Sequence, residues 1–302
     1  MSQRLVFVSN PRSSNHRKVE KQVLSALKSR DGELVEYRIV HTFFEDNVER
    51  IAKLLKNGDL VIAAGGDGTA SIVGNGIIAS GKSDVTFGVL GYGNFNDLAT
   101  SLSGRKASVD QLLAAKNTVN FYPVDIRING NHFRYSFMYA NIGLVAGAVN
   151  EFEKGPERHR LQRGWANQPL SFLALVPFYF KNRKRYALPK SSLGERKLTD
   201  FFVINGDRMA KFRIGVGFMA NAKKFGIASL NTHSLLRNIP FTLRSIRGYM
   251  PLKHVENCEI LFEKSVSLDF QSDGEYRRLE GVKTIHFTKP KKPLTMLKLH
   301  RK

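Results

Sequence analysis

Residues 60–69 of this chain of 302 residues read LVIAAGGDGT. The apolar run from Leu60 to Ala64 has the length of a buried strand, and Ile72, Val73 and Ile77 after it recur at helical spacing. Glycines between these segments allow positive φ and a close approach of the backbone to a ligand, and a helix N-terminus attracts anions. The stretch therefore predicts a strand, a phosphate-holding loop and a helix.

The acid in this loop, Asp67, distinguishes it from the best-known phosphate loop. A Walker A loop supplies a lysine, and none lies within residues 60–69. Asp67 instead places a carboxylate where phosphate charge would gather, which makes sense if the acid holds a metal or accepts a proton. The alternative is that Asp67 or Thr69 merely caps a helix.

A second glycine loop follows a second apolar strand. Residues 86–90 read TFGVL and residues 91–99 read GYGNFNDLA. Together the two loops resemble the diacylglycerol kinase catalytic family of lipid kinases, which includes the sphingosine kinases and carries Gly-Gly-Asp-Gly-Thr followed by Gly-Thr-x-Asn-Asp. Gly93, Asn96 and Asp97 match the second motif in register. Asn94 stands where the family usually has threonine.

A third match lies near the C-terminus, where residues 268–275 read LDFQSDGE. The segment resembles the family's Asp-Gly-Glu, which points into the interdomain cleft, and its alternative interpretation is an ordinary turn. The resemblance implies that Glu275 accepts the proton of a lipid hydroxyl, with Asp67 as the alternative base, and that Asp97 and Asp273 complete the catalytic set.

The same resemblance implies ATP and Mg²⁺ as cofactors. Asp67 and Asp97 are expected to order the metal directly or through water, with Asp125 at the domain junction as a further metal residue or, alternatively, an ordinary polar residue of a strand. The residues expected to hold the nucleotide are Asn10, Gly65, Gly66, Asp67, Gly68, Thr69, Gly93, Asn94 and Asn96.

The order of predicted elements indicates an α/β fold with two domains. Strands alternate with helices over residues 1–121, which predicts an N-terminal parallel-sheet nucleotide-binding domain of the kind that NAD kinases and diacylglycerol kinases share. Residues 122–289 begin with a strand and an Asn129-Gly130 turn, a strong hairpin signal. They are expected to form a mainly antiparallel β-sandwich that binds the lipid, and the tail at 290–302 to return to the first domain or to remain solvated.

Charge is the unusual part of the composition. The 47 Lys and Arg residues against 26 Asp and Glu give a formal net charge of +21. Such a surface attracts polyanions, and in this context it predicts docking to an anionic membrane. One cysteine and no apolar segment of signal-peptide length favour a cytoplasmic protein, and the charge favours a peripheral membrane association. The resemblance implies a role in phospholipid synthesis. The expected partners are a lipid substrate and the membrane, and a homodimer is left open.

Three later segments carry weaker expectations. Residues 170–180 are mostly apolar but too short to span a bilayer, which favours packing on a sheet over lipid contact. Residues 225–231 lack the acidic cluster that holds a structural magnesium in the family, so that site is expected to be absent. Residues 240–247 predict a short basic amphipathic helix.

Two rival functions remain open. NAD kinases share Gly-Gly-Asp-Gly and a two-domain build, and Asn150-Glu151 imitates their Asn-Glu motif, although Asn96-Asp97 and the Asp-Gly-Glu segment fit only the lipid kinases well. The other rival is a non-catalytic or nucleic-acid-binding protein that kept the fold, which the net charge of +21 motivates. The absence of a zinc-ligand spacing or an aromatic RNA-binding motif argues against nucleic acid.

Overall fold

The computed structural model describes residues 4–11, 13, 16–28, 33–40, 44–93, 95–103, 107–154, 181–182, 187–193, 198–209, 212–213, 223–231, 244 and 250–299. Several sequence-based expectations lie outside these ranges. They concern Asn94, the apolar stretch at 170–180, the basic residues at 158–163 and 183–185, and the 240–247 helix apart from Arg244.

The first sheet and its helices come mainly from the N-terminal part of the chain. Its elements are β1 (Leu5–Ser9), α1 (His16–Lys28), β2 (Leu34–Arg38), α2 (Phe44–Leu54), β3 (Leu60–Gly65), α3 (Asp67–Ser80), β4 (Thr86–Gly91), α4 (Asp97–Ser103), α5 (Val109–Leu113), β5 (Thr118–Phe121) and, from the far end of the chain, β16 (Leu294–Leu297). The strand order is β2-β1-β3-β4-β16-β5, and all pairs are parallel except β16 with β5.

The strand β3 is buried along its whole length because helices cover both faces of this sheet. Val61 and Ala63 point toward α2, α3 and α4, where they share a core with Ile72 and Leu98. Leu60, Ile62 and Ala64 point to the opposite face, where α1 and α5 cover them. The alternation places the loop after β3 at the carboxyl edge of a fully covered parallel sheet, where such folds bind ligands.

The second sheet is antiparallel throughout. Its elements are β6 (Val124–Ile128), β7 (Asn131–Ser136), β8 (Tyr139–Gly143), β9 (Leu198–Ile204), β12 (Phe225–Asn231), β13 (Lys253–Val255), β14 (Asn257–Ser272) and β15 (Glu275–Thr288), in the order β13-β12-β9-β8-β14-β15-β6-β7. The helix α6 (Leu144–Lys154) and the small pair β10 (Arg208–Met209) and β11 (Phe212–Arg213) complete the described part.

The predicted fold class is confirmed by these two sheets. The predicted Asn129-Gly130 hairpin joins β6 to β7, and both turn residues have positive φ, 51° and 82°. Residues of the second sheet also enter the core of the first, since Phe137, Met138 and Phe202 pack in the same cluster as Val61. The two sheets are therefore joined through a shared apolar layer.

The two chain crossings between the sheets lie side by side, and a buried lysine joins them. The chain leaves the first sheet after Phe121 and returns to it between β15 and β16. Lys289 Nζ donates to the carbonyl oxygen of Tyr122 at 2.6 Å and to Asn205 Oδ1. Burial lowers the pKa of Lys289 to about 7.

This lowered pKa predicts how stability changes with pH. Between about pH 7 and the ordinary lysine value of about 10.4, the unfolded chain binds a proton that the folded chain does not, so stability rises with pH by at most about 1.4 kcal/mol per unit. Denaturant unfolding at pH 7 and pH 9 should show this gain in the wild type and a smaller gain in Lys289→Met. Lys291→Met, at an exposed neighbour, is the control. Equal gains in all three proteins would contradict the prediction.

Candidate active site

Two glycine loops meet at the carboxyl edge of the first sheet, after β3 and β4. A Cβ atom on Gly93 would lie 2.4 Å from Gly66 Cα and 2.6 Å from Gly66 N, so backbone contacts backbone here and a side chain has no room. The Asp67 N–H also donates to the Phe95 carbonyl oxygen at 3.0 Å. The two sequence motifs are therefore one structural unit.

Side chains close this unit from two sides. Asn96 Oδ1 accepts from Gly93 N at 2.9 Å and Asn96 Nδ2 donates to Gly93 O at 2.6 Å, which closes the second loop on itself. From the loop after β1, Asn10 Nδ2 donates to Thr69 Oγ1 at 3.2 Å. Apart from Asn94, which lies outside the described residues, these contacts bring the predicted nucleotide residues to one edge.

The carboxylate of Asp67 caps a helix, as the alternative interpretation proposed, but the helix is α4 rather than its own. Asp67 Oδ2 accepts from Asp97 N and Oδ1 from Leu98 N, both at 3.0 Å. Burial and, second to it, the charge of Asp97 raise the pKa of Asp67 to about 8 against the lowering effect of these two hydrogen bonds. Both acids are buried, with exposures of 5% and 2%.

This buried acid pair fits a bound cation. Two buried carboxylates that repel each other disfavour ionisation, and a divalent ion would remove that penalty. Mg²⁺ typically keeps several waters and uses one or two carboxylates plus substrate phosphates, so it needs no larger protein cage. Asp67 and Asp97 are therefore suited to the metal role predicted for them, whether directly or through water.

The third predicted metal residue, Asp125, does not join them. Its carboxylate is 3.0 Å from Arg127 Nε and 2.7 Å from His132 Nδ1. Its strand partner Tyr135 exchanges hydrogen bonds with Asn75, which lies eight residues, or about 12 Å, along α3 from Asp67. Within the described ranges no group of three or more His, Cys, Asp and Glu side chains is placed to hold a metal. The contacts of Asp125 with Arg127 and His132 favour the alternative interpretation, a polar residue of a strand, and its metal role stays a prediction.

The Asp-Gly-Glu segment is a tight turn that also reaches the glycine loop. Asp273 and Gly274, with φ of 50° and 88°, join β14 to β15. Glu275 begins β15, and a Cβ atom on Gly68 would lie only 2.6 Å from Glu275 Oε1. Residues 67–69 and 273–275, two hundred positions apart, are thus in contact.

Asp273 has a role in holding this turn in place. Its side chain is fully buried and accepts backbone hydrogen bonds from Phe137, Met138 and Tyr139 at 2.7, 2.7 and 3.1 Å. Burial raises the pKa of Asp273, while these hydrogen bonds oppose the rise. The carboxylate therefore fixes to the β7–β8 connection the turn that carries Glu275, and a catalytic role for Asp273 stays a prediction.

Sequence reasoning missed two residues of this region. Tyr139 is buried, and burial raises the pKa of its hydroxyl well above the ordinary value, with Asp67, Asp97 and Asp273 adding to the rise. Arg134, on β7, is buried among charged groups that include Glu275. Both lie in a segment that alternates as an ordinary strand does, so no local signal marked them.

The comparisons with known proteins concern the fold and the family. Residues 4–126 match the family model described as the diacylglycerol kinase catalytic domain. Two solved structures described as "putative diacylglycerol kinase from Bacillus anthracis str. Sterne" superpose with TM-scores of 0.67 and 0.65 at 17% and 15% identity. A third, described as a diacylglycerol kinase of the same organism, superposes with a TM-score of 0.63 at 15% identity.

In each structural comparison the match covers 98% of this chain and 97% of the other. At these identities the structures establish a shared fold. No curated protein matches the chain. The family resemblance predicted from the two glycine loops is confirmed, with the family model matching residues 4–126.

Proposed function

We propose, from the diacylglycerol kinase catalytic domain at residues 4–126, that this protein transfers the γ-phosphoryl group of ATP to a lipid hydroxyl. The observation that carries the proposal is the contact between Glu275 and Gly68. It places a carboxylate from the second sheet against the phosphate-type loop of the first. A hydroxyl bound between the sheets would there meet both a proton acceptor and a phosphoryl donor.

The glycine loops would hold the nucleotide phosphates through backbone N–H groups and the N-terminus of α3. Asp67 and Asp97 would hold Mg²⁺, which supplies charge neutralisation on the phosphates when it is bound. Asn10 and Asn96 keep the surrounding loops in place through the contacts described above. Most of the catalytic effect would then come from positioning and charge, as is usual in phosphoryl transfer.

The geometry favours Glu275 over Asp67 as the base. Both oxygens of Asp67 accept backbone hydrogen bonds from α4, so this carboxylate is committed to holding the second loop. Glu275 is half-buried and has its carboxylate at the surface of the first loop. A general base must lie within hydrogen-bond reach of the proton it takes, and Glu275 is the acid better placed for an acceptor that enters between the sheets.

The direct test is an assay with radiolabelled ATP against a panel of lipids and NAD. We expect phosphate incorporation into at least one glycerolipid or sphingoid lipid and none into NAD. Label in NAD would support the NAD kinase alternative. If a folded protein supplied with Mg²⁺ transfers label to none of these compounds, the kinase proposal fails and a binding function is the interpretation that is left.

A lipid kinase of this kind must also reach its substrate in a bilayer. Among the described residues, no helix is long and apolar enough to cross a membrane. We therefore propose reversible attachment through the net charge of +21, with the protein cytoplasmic and peripheral to the membrane. Each Lys or Arg near an anionic surface contributes about 1 kcal/mol, which decays within a Debye length. The candidate cations are Arg158, Arg160, Lys181, Arg183, Lys184, Arg185, Arg244 and Arg247.

Vesicle sedimentation tests this attachment. The protein should bind vesicles that contain phosphatidylserine or phosphatidylglycerol, should not bind pure phosphatidylcholine vesicles, and should be released by raising the salt concentration. Equal binding to both kinds of vesicle would contradict electrostatic docking and would direct attention to the apolar stretch at 170–180.

A further inference from the structure

An open groove separates α2 and the second half of α3 from the edge strand β7. Its volume is about 780 Å³, which lies within the range typical of small-molecule sites. Much of its wall is apolar or aromatic. Helices of the first sheet form one side of it, and strand β7 of the second sheet forms the other. The side chains that form this wall include Phe44, Val48, Ala52, Ile78, Phe133 and Tyr135. A ligand that fills the groove must therefore present a substantial apolar surface.

A buried arginine lies beside one end of the groove. The guanidinium of Arg134 lies over the rings of Phe44 and Phe133, with Cζ at 4.2 and 4.5 Å from their centroids, and both rings line the groove. Arg134 is 2% exposed, and among the residues that the structure describes its Nε and Nη1 atoms have no hydrogen-bond partner. Buried donors in native proteins are nearly always satisfied, so these two indicate a partner that is bound from outside the chain.

A second guanidinium is directed at the same end. Arg277 donates to both oxygens of Glu45, at 2.6 and 2.5 Å, and Arg134 Nη2 is 3.6 Å from the same carboxylate. Arg277 follows Glu275 by two positions on β15, so the two side chains project from the same face of the sheet. The arginine end of the groove therefore adjoins the proposed catalytic base.

The charges at this end favour an anion. Two guanidinium groups share one paired carboxylate, Glu45, whereas the charges of Glu275 and Asp273 act on Arg134 without a direct ion pair. The next acid along the groove, Glu49, is neutralised by Lys53 at 2.5 Å. Desolvation lowers the pKa of Arg134 to about 10, so Arg134 stays charged at neutral pH. Arginine is well suited to phosphate because its planar group donates several hydrogen bonds at once.

We propose that this groove binds one molecule of an anionic phospholipid, with its phosphate at Arg134 and Arg277 and an acyl chain along the wall formed by α2, α3 and β7. The proposal rests on the proposed function in one respect: a headgroup held there would present its hydroxyl to Glu275. The acceptor is then an anionic glycerolipid in preference to a neutral diacylglycerol or a cationic sphingoid base.

Access to Arg134 requires a local movement. Its free nitrogens are closed off from solvent, and the two rings that cover them are half-buried. Phe44 is the first residue of α2, where a side chain has fewer neighbours than in mid-helix, so its ring is the one expected to turn aside. Arg277, whose side chain is 35% exposed, offers the first contact without any rearrangement.

Calorimetric titration with short-chain lipids below their micelle concentration tests the site without turnover. The probes are dihexanoyl-phosphatidylglycerol, dihexanoyl-phosphatidylcholine, dihexanoylglycerol and inorganic phosphate. The variants are Arg134→Gln and Arg277→Gln for the anion end, and Ala79→Trp against Ala79→Ser for the groove. Arg278→Gln is the matched control, because Arg278 neighbours Arg277 on β15 but pairs with Asp269 instead. Thermal melts establish that each variant is folded.

We expect the wild type and Arg278→Gln to bind the phosphatidylglycerol at least tenfold more tightly than the other probes. Arg277→Gln should remove this preference, Arg134→Gln should do so where it folds, and Ala79→Trp but not Ala79→Ser should weaken binding. Equal affinity for all lipids, an unchanged preference in Arg277→Gln, or phosphate binding as tightly as the lipid would overturn the proposal.

The kinase assay separates this proposal from the proposed function. If the phosphatidylglycerol binds as described but no lipid is phosphorylated, the site stands and the kinase assignment fails. If a neutral lipid is phosphorylated equally by the wild type and Arg277→Gln, the kinase assignment stands and the anionic-lipid site fails.

Discussion

Replacement of Glu275 by glutamine is expected to lower kcat by about 10²-fold to 10⁴-fold, the range that a positioned general base contributes. The substitution preserves the size of the side chain and its contact with Gly68 but removes the proton acceptor. The KM for ATP should change little, because glutamine has the same size as glutamate and keeps the side-chain contact with Gly68. Steady-state kinetics with the lipid that gives activity measure both constants.

Two companion variants make this result interpretable. Glu280→Gln removes an exposed acid from the same strand and should keep wild-type turnover. Gly68→Ala would bring a methyl group to 2.6 Å from Glu275 Oε1, so it should displace the carboxylate and lower kcat while the flexible side chain absorbs the clash. If Glu275→Gln keeps wild-type kcat, another group takes the proton and Glu275 only shapes the cleft.

Local chemistry explains why the fold could be predicted from the sequence. The strand β3 is a continuous apolar run, the signature of a strand covered on both faces, and Ile72, Val73 and Ile77 belong to the part of α3 that is buried on all sides. Residues 129–130 require positive φ in a two-residue turn, and Asn-Gly meets that need. These features depend on neighbours within a few positions, so periodicity and turn chemistry suffice to find them.

The site was less predictable because its contacts join distant positions. Asp67 accepts hydrogen bonds from two backbone N–H groups that are 30 and 31 residues away in sequence. Asp273 accepts hydrogen bonds from three backbone N–H groups that are 134 to 136 residues away. Asp125 has the right residue type for a metal, but the pairing of β6 with β7 gives it Arg127 and His132 as partners. Arg134 gives no local sign of burial, since its environment depends on α2 and β15.

Asp67→Asn is expected to lower kcat/KM by about 10²-fold or more, the scale of removing one preorganised electrostatic group from an active site. The substitution keeps the volume of the side chain but halves the negative charge of the acid pair that would hold Mg²⁺. Stability should change by only about 1 kcal/mol, because two effects oppose each other. One acceptor for the α4 N–H groups is lost, while the repulsion from Asp97 that raises the pKa of Asp67 is relieved.

The separation of activity from stability is what identifies the role of Asp67. Kinetics at increasing Mg²⁺ concentration and denaturant unfolding of the same preparation measure the two effects, with Asp110→Asn, an exposed acid in the first turn of α5, as the control. If Asp67 holds the metal, the loss of activity should lessen as Mg²⁺ rises, and unfolding should stay close to that of the control. If it serves only as the cap of α4, activity and stability should fall together and Mg²⁺ should restore neither, because a misplaced second loop displaces Asp97 and Asn96 along with it.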